Sequence, residues 1–304
     1  MTLPTPHLEK LSAALVNDKL PTSDAPRIER AIEVYHNWIA ELDALTGTPE
    51  EILERAVELL NRYKFYIDVE LIFDSDEDFL YRQKGQLKLD NSIIEEFLPR
   101  LIRPNIVPEI AGMELLVGPQ SCFSSVYFSS SLDVPQPGGG LSIRIKDQDF
   151  AISKPLYMRA SHSKAFTESV EVGTYIAYVA AECKTNLDKT MFQEAVATAH
   201  DVKSSVSGAK YFLLCEWLDM TPLSTAPTDI DEVIILRKQK RLSSHIRKEF
   251  SVSARRKARR EAYVRFLNDN PFRLEMFQRF INHVRVLLRN DAPVETDVLE
   301  LGYF

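Results

Sequence analysis

At 304 residues, with 45% hydrophobic and 27% charged content, the chain can bury a large core and reads as a globular protein of one elaborated domain or two subdomains. Three cysteines without a CxxC pair exclude a disulfide framework and a cysteine zinc site; no apolar run is long enough for a membrane span, and "MTLPTPHLEK" is no secretory signal, so a soluble cytoplasmic protein is expected. The net charge of −7 hides a polarity along the chain: residues 1–100 hold 20 acids and 11 bases, whereas residues 231–290 hold 16 bases and 6 acids.

The first third reads as helices. Ser23 or Asp24 can cap "RIERAIEVYHNWIAELDAL", and Thr48 with Glu51 forms a capping box before "PEEILERAVELLNRYKFYIDVELIF". A charged interruption, "DSDEDFLYRQKGQLKLDNS", leads to a second capping box at Ser92 and Glu95, opening "IIEEFLPRLI". From about residue 110, β-branched and aromatic residues dominate "MELLVG", "CFSSVYFSS", "LSIRIKDQDFAIS" and "GTYIAYVAAECK", with "PQPGGG" as a loop between strands. "TMFQEAVATAHDVKSSV" is helical, "KYFLLCEWL" and "DEVIILRK" are short strands, and helices return from about 241. The chain thus divides into a helical N-terminal segment (1–84) for dimerisation or DNA contact, an α/β core (85–236) and a basic helical C-terminal segment (237–304).

The chemistry-bearing residues sit at strand ends. In "AECKTNL", Glu182 and Lys184 share one strand face while Cys183 points the other way. A carboxylate beside an ammonium suits metal-assisted phosphodiester hydrolysis, the acid holding Mg²⁺ and the lysine positioning water or stabilising developing charge. One carboxylate rarely suffices for Mg²⁺. "IRIKDQDFAIS" supplies a second from the preceding strand: Asp149, just before the apolar "FAI", with Asp147 as its rival on the same face. An E-x-K triplet arises by chance about once in a chain of this size, and a structural ion pair is the plain alternative. Here the triplet is the only E-x-K in the chain, and it falls in the order acid-bearing strand, turn, apolar strand, E-x-K, amphipathic helix, apolar strand. That order is the core of the PD-(D/E)xK nuclease fold, a mixed sheet flanked by helices.

Within residues 237–260, eleven of 24 residues are Lys or Arg and one is acidic, which favours a polyanion over a plain solvated helix face. Arg255, Arg256 and Lys257 are its densest run. "YRQKGQ" carries Arg82, Gln83, Lys84 and Gln86, residue types that bond base edges and phosphates, or that simply solubilise a loop. Gln193, on the helix after Glu182, either supports the site or is solvated. His162 is a weak DNA-contact candidate, and Trp38 and Trp217 are expected in the core.

"DFLYRQKGQLKLDNSIIEEFLPRLI", "KDQDFAISKPLY", "AECKTNLDKTMFQEA" and "DEVIILRKQKR", taken together and in order, resemble the BbvCI-like (Bpu10I-type) restriction endonucleases over roughly residues 50–250. The resemblance implies a type II, Mg²⁺-dependent PD-(D/E)xK enzyme cutting duplex DNA at a short interrupted site around C-T-N-A-G. It implies Asp149 and Glu182 as metal ligands and Lys184 as the catalytic lysine. Gln148 stands where the strict pattern has proline. In this fold a glutamate of the first core helix often reaches the metal, pointing to Glu95 or Glu96, though Glu95 also fits a capping role. A cognate DNA methyltransferase, a prokaryotic cytoplasm and an oligomer follow from the same resemblance. Best-known members are heterodimers, while symmetry base rates favour a homodimer. A repair or recombination nuclease and a non-catalytic DNA-binding regulator remain as rival readings.

Overall fold

In the computed structural model, which describes residues 3–289 and 295–302, the helical periodicity of the first third becomes a layer of helices. Helices α1 (Pro6–Leu15) and α2 (Ala25–Asp43) carry proline in the first turn, where a missing N–H is no loss. Helix α3 (Pro49–Phe65) opens with the expected capping box, the Glu51 N–H donating to Thr48 Oγ1 and the Thr48 N–H to Glu51 Oε2. The helical run then continues as an eight-residue π-helix, Tyr66–Phe73. After α4 (Phe79–Gln83), a series of turns leads to α5 (Ser92–Leu101). The second expected capping box does not form. Ser92 donates its hydroxyl to the Lys88 carbonyl, and Glu95 accepts from the side-chain amide of the N-cap residue Asn91 rather than from a backbone N–H of the helix terminus.

The β-rich middle is one five-stranded mixed sheet in sequential order. Strands β1 (Leu116–Phe128), β2 (Leu141–Ala160) and β3 (Val170–Leu187) pair antiparallel. Strands β4 (Lys210–Leu218) and β5 (Glu232–Ile235) add on in parallel. A parallel step needs a crossover, and α6 (Lys189–Ser205) provides the one from β3 to β4, capped by Asp188, which accepts the Met191 N–H at 2.9 Å. "MELLVG" and "CFSSVYFSS" contribute to a single strand, β1. The glycine loop joins β1 to β2, and Gly138 (φ 56) has a reason for lacking a side chain: a Cβ there would lie 2.6 Å from the Ala160 carbonyl oxygen.

Apolar side chains cover the central part of the sheet on both faces, while the far end of the β1–β2–β3 ribbon, with Phe128 and Tyr157, is exposed. On one face, Phe150, Ile152, Ala181, Phe212 and Leu214 pack with Leu11, Trp38, Leu60, Phe97 and Phe280. On the other, Ala151, Ala180, Tyr211 and Leu213 pack with Phe192, Ala195 and Ala199 of α6. The first core draws on all three segments marked out in the sequence, so the apolar stripes of the N-terminal helices are used inside the molecule. Trp38 and Trp217 are both buried, as expected. Helices α7 (Ser244–Glu249), α8 (Ser253–Asp269), α9 (Leu274–Arg289) and α10 (Glu295–Leu301) follow. Residues 1–2, 290–294 and 303–304 of the two outer segments lie outside the described residues. Among those described, no helix is long and apolar enough to cross a membrane.

Candidate active site

The register of β2 and β3 brings the expected residues together. Phe150 pairs with Ala181, placing Asp149 at the same level as the Glu182–Lys184 strand end, and Asp149 Oδ2 accepts the Cys183 N–H at 2.9 Å. Lys184 Nζ lies 3.1 Å from Glu182 Oε2, with both side chains partly open to solvent. Burial pulls the Lys184 ammonium down, but the Glu182 and Asp149 carboxylates more than offset this and hold it charged, above the ordinary lysine range. Burial pushes the Asp149 carboxyl up, and the Cys183 N–H with Lys184 and Lys88 restrains that rise.

Of the two candidate glutamates on α5, the fold separates one for each purpose. Glu96 is fully buried and belongs to the packing: Oε2 accepts the His7 N–H at 2.9 Å, and the Tyr35 hydroxyl donates to Oε1. Glu95, one residue earlier, meets Asp149, and burial together with the Asp149 charge raises its carboxyl to about 7. Asp147 is exposed and accepts from the Ser121 hydroxyl on the neighbouring strand β1. Gln148 sits in the β1–β2 ladder opposite Gln120, a position where an ordinary residue can keep an N–H that proline lacks. Gln193 is exposed on α6.

The residues fit a divalent cation. Asp149, Glu182 and Glu95 bring three carboxylates against two ammonium groups, Lys184 and Lys88, and burial, with the Asp149 charge second, still holds the Glu95 carboxyl up despite Lys88. Among the described residues, no group of three or more His, Cys, Asp or Glu side chains is placed to hold a metal ion by itself. Mg²⁺ does not need one, since it keeps several waters and binds through one or two carboxylates plus a substrate phosphate.

Beside Lys184 opens a cleft of about 520 Å³. Its lining includes six bases (Arg82, Lys84, Lys88, Lys184, Arg241, Arg247) and one acid, Asp90. Such a surplus concentrates positive potential in an otherwise acidic chain. The "YRQKG" stretch, which forms the end of α4 and the turn after it rather than a loop, therefore borders the site, although its members differ. Lys84 is tied to the buried Asp90 at 3.0 Å, and Arg82 bonds the Ser251 carbonyl and Asp78. Gln83 is half-buried and Gln86 exposed. Arg241 and Arg247 share a single carboxylate oxygen, Asp219 Oδ2, at 3.1 and 3.4 Å, leaving one positive charge over.

The 255–257 run is not a uniform basic surface. Arg256 is buried, and its guanidinium donates to the carbonyls of Phe73, Ser75, Glu77 and Phe250 and to Asp78. It ties α8 to the segment after the π-helix and has no face for a phosphate, which corrects the DNA-contact expectation for this residue. Lys257 is exposed but pairs with Asp76 at 2.6 Å, and Arg255 is exposed. Two residues near the site escaped sequence reasoning. Tyr211 of β4 is buried, and burial together with the Glu182 charge keeps its phenol protonated far above the usual range. Lys88 sits in a stretch that reads as an irregular charged loop, and only folding brings it to Glu95 and Asp149.

Comparison with known proteins gives the family. Among solved structures, the chain is similar to a chain of the native BbvCI A2B2 tetramer, with 19% identity, a TM-score of 0.35, and coverage of 73% of this chain and 85% of that one. No curated protein sequence matches. A family model, the Bpu10I restriction endonuclease, matches residues 86–304, taking in the whole sheet, the acid–lysine cluster and the C-terminal helices. The chain therefore belongs to the Bpu10I restriction endonuclease family, and it is a site-specific endonuclease of type II.

Proposed function

We propose that the chain hydrolyses phosphodiester bonds of duplex DNA at a short interrupted site, of the C-T-N-A-G kind, in a Mg²⁺-dependent reaction that leaves 5′-phosphate and 3′-hydroxyl ends. The observation that carries this reading is the meeting of Asp149, Glu182 and Lys184 at adjoining strand positions beside a basic cleft. Asp149 and Glu182 would hold the cation, with Glu95 as a further ligand. A bound Mg²⁺ supplies positive charge that acidifies water and neutralises the scissile phosphate. Lys184, kept charged by Glu182, orients the attacking water and stabilises charge developing on the phosphate oxygens. Arg241 and Arg247 are the better phosphate contacts within the basic segment, because they line the cleft with charge to spare, and Arg255 extends the path. The enzyme acts as a homodimer in a prokaryotic cytoplasm, alongside a methyltransferase that protects the same site.

Glu182→Ala and Lys184→Ala test the chemistry. Each should lower the single-turnover cleavage rate by at least about two orders of magnitude, the loss typical of a preorganised charge removed from the reacting group. Duplex affinity measured in Ca²⁺ should change little, since most phosphate contacts lie elsewhere. Near wild-type cutting by either variant would remove this cluster from the mechanism.

A further inference from the structure

Lys88 enters the carboxylate cluster from outside the sheet. Its ammonium is 3.7 Å from Glu95 Oε1 and 4.0 Å from Asp149 Oδ1, while Lys184 pairs with Glu182. The two ammonium groups thus divide the three acids between them. The backbone at Lys88 is left-handed (φ 52), an uncommon state for a residue with a side chain. Both neighbouring turns hold it there: the Lys88 N–H donates to the Gly85 carbonyl at 3.2 Å, and the Lys88 carbonyl accepts the Ser92 hydroxyl at 2.7 Å. A strained turn that aims a cation at two carboxylates is a specific placement. The contact is nevertheless loose, because the side chain is 47% exposed and also lines the basic cleft.

We propose that Lys88 is a resident counter-ion that occupies the cation position between Glu95 and Asp149 in the metal-free enzyme and competes with the divalent cation for it. This rests on the reading of Asp149 as a metal ligand. An ammonium and a divalent cation repel one another at the same oxygens, so entry of the cation must displace Lys88. The displaced ammonium needs only to swing into the cleft it already borders. Until then it keeps a repelling, partly buried carboxylate pair assembled. A half-exposed ion pair is weak enough to be exchanged in this way.

Calorimetric titration of the full chain with Ca²⁺, alone and with a duplex present, separates the possibilities. Lys88→Gln and Lys88→Gly should each bind Ca²⁺ about tenfold more tightly than wild type, a figure reduced from the bare charge effect because the ammonium is half exposed. Glycine suits the left-handed backbone, so Lys88→Gly guards against misfolding, with melting curves as the check. Asp149→Asn should weaken Ca²⁺ binding strongly. Lys88 variants with wild-type or weaker affinity, beside a defective Asp149→Asn, would overturn the counter-ion role and leave the metal site standing. Ca²⁺ binding that is absent from wild type in both conditions, or indifferent to Asp149→Asn, would overturn the metal site and the counter-ion role with it.

Discussion

Asp149 and Asp147 lie two residues apart on β2, yet their surroundings differ. Asp149 accepts the Cys183 N–H and lies against Glu95 and the two lysines, whereas Asp147 is exposed and bonded to Ser121. Asp149→Asn should therefore reduce cleavage by about two orders of magnitude or more, and Asp147→Asn should leave it within a few-fold. An inactive Asp147 variant beside an active Asp149 variant would reverse the assignment. Glu95 gives a pH dependence. Its folded-state carboxyl titrates at about 7, above the ordinary value of 4.5, so below about 7 it is largely protonated and binds a cation poorly. Apparent Ca²⁺ affinity should rise from pH 5 to 7 and level off above, with proton release to the buffer accompanying binding in the lower range. Glu95→Gln should flatten that rise. The sign for stability is the reverse: the folded state holds the extra proton, so raising pH from about 4.5 to 7 costs stability when no cation is present.

At the scale of elements, α8 shows why a run of like charges is a poor guide to which residues meet DNA. Arg255, Arg256 and Lys257 are neighbours in sequence, but one turn of helix sends Arg256 into the interior and the other two outward. Arg256→Ala should destabilise the fold by about 3 kcal/mol or more, because four backbone carbonyls are deprived of their donor at once, while Arg255→Ala should be nearly neutral in a denaturant titration. Equal effects would contradict the buried anchor. On the cleft wall, Arg241→Gln with Arg247→Gln should make the slope of log affinity against log salt shallower, by about 0.9 for every phosphate that these side chains neutralise. An unchanged slope would take both arginines off the DNA path. The alternation of β2 and β3 made Asp149, Glu182 and Lys184 legible in the sequence, since a strand sets which side chains share a face. The same logic could not reach Lys88 and Tyr211, which arrive from a turn and from an apolar strand through long-range packing. The Ser92–Glu95 box failed for a related reason: the helix begins one residue earlier, with Asn91 at its N-cap, and Lys88 and Asn91 offer Ser92 and Glu95 other partners.

For the whole molecule, an acidic chain with a basic cleft beside its acid–lysine cluster should steer a polyanion to one place. If this cluster is the catalytic centre, as proposed, it hydrolyses one strand at a time, so a double-strand break calls for a second. The N-terminal helices bury their apolar stripes in the core, so the proposed dimer would draw on what those helices leave exposed or on other surfaces. Sedimentation on a symmetric duplex should show two chains per DNA, and a chain that remains monomeric there would call for a different second subunit. Sequencing the ends of a plasmid cut by the purified chain in Mg²⁺ tests the central claim most directly. Wild type should give discrete fragments whose ends carry 5′-phosphates and fall at one recurring interrupted site, and Lys184→Ala should give none. Scattered or structure-directed nicks, or the same fragments from Lys184→Ala, would contradict the account.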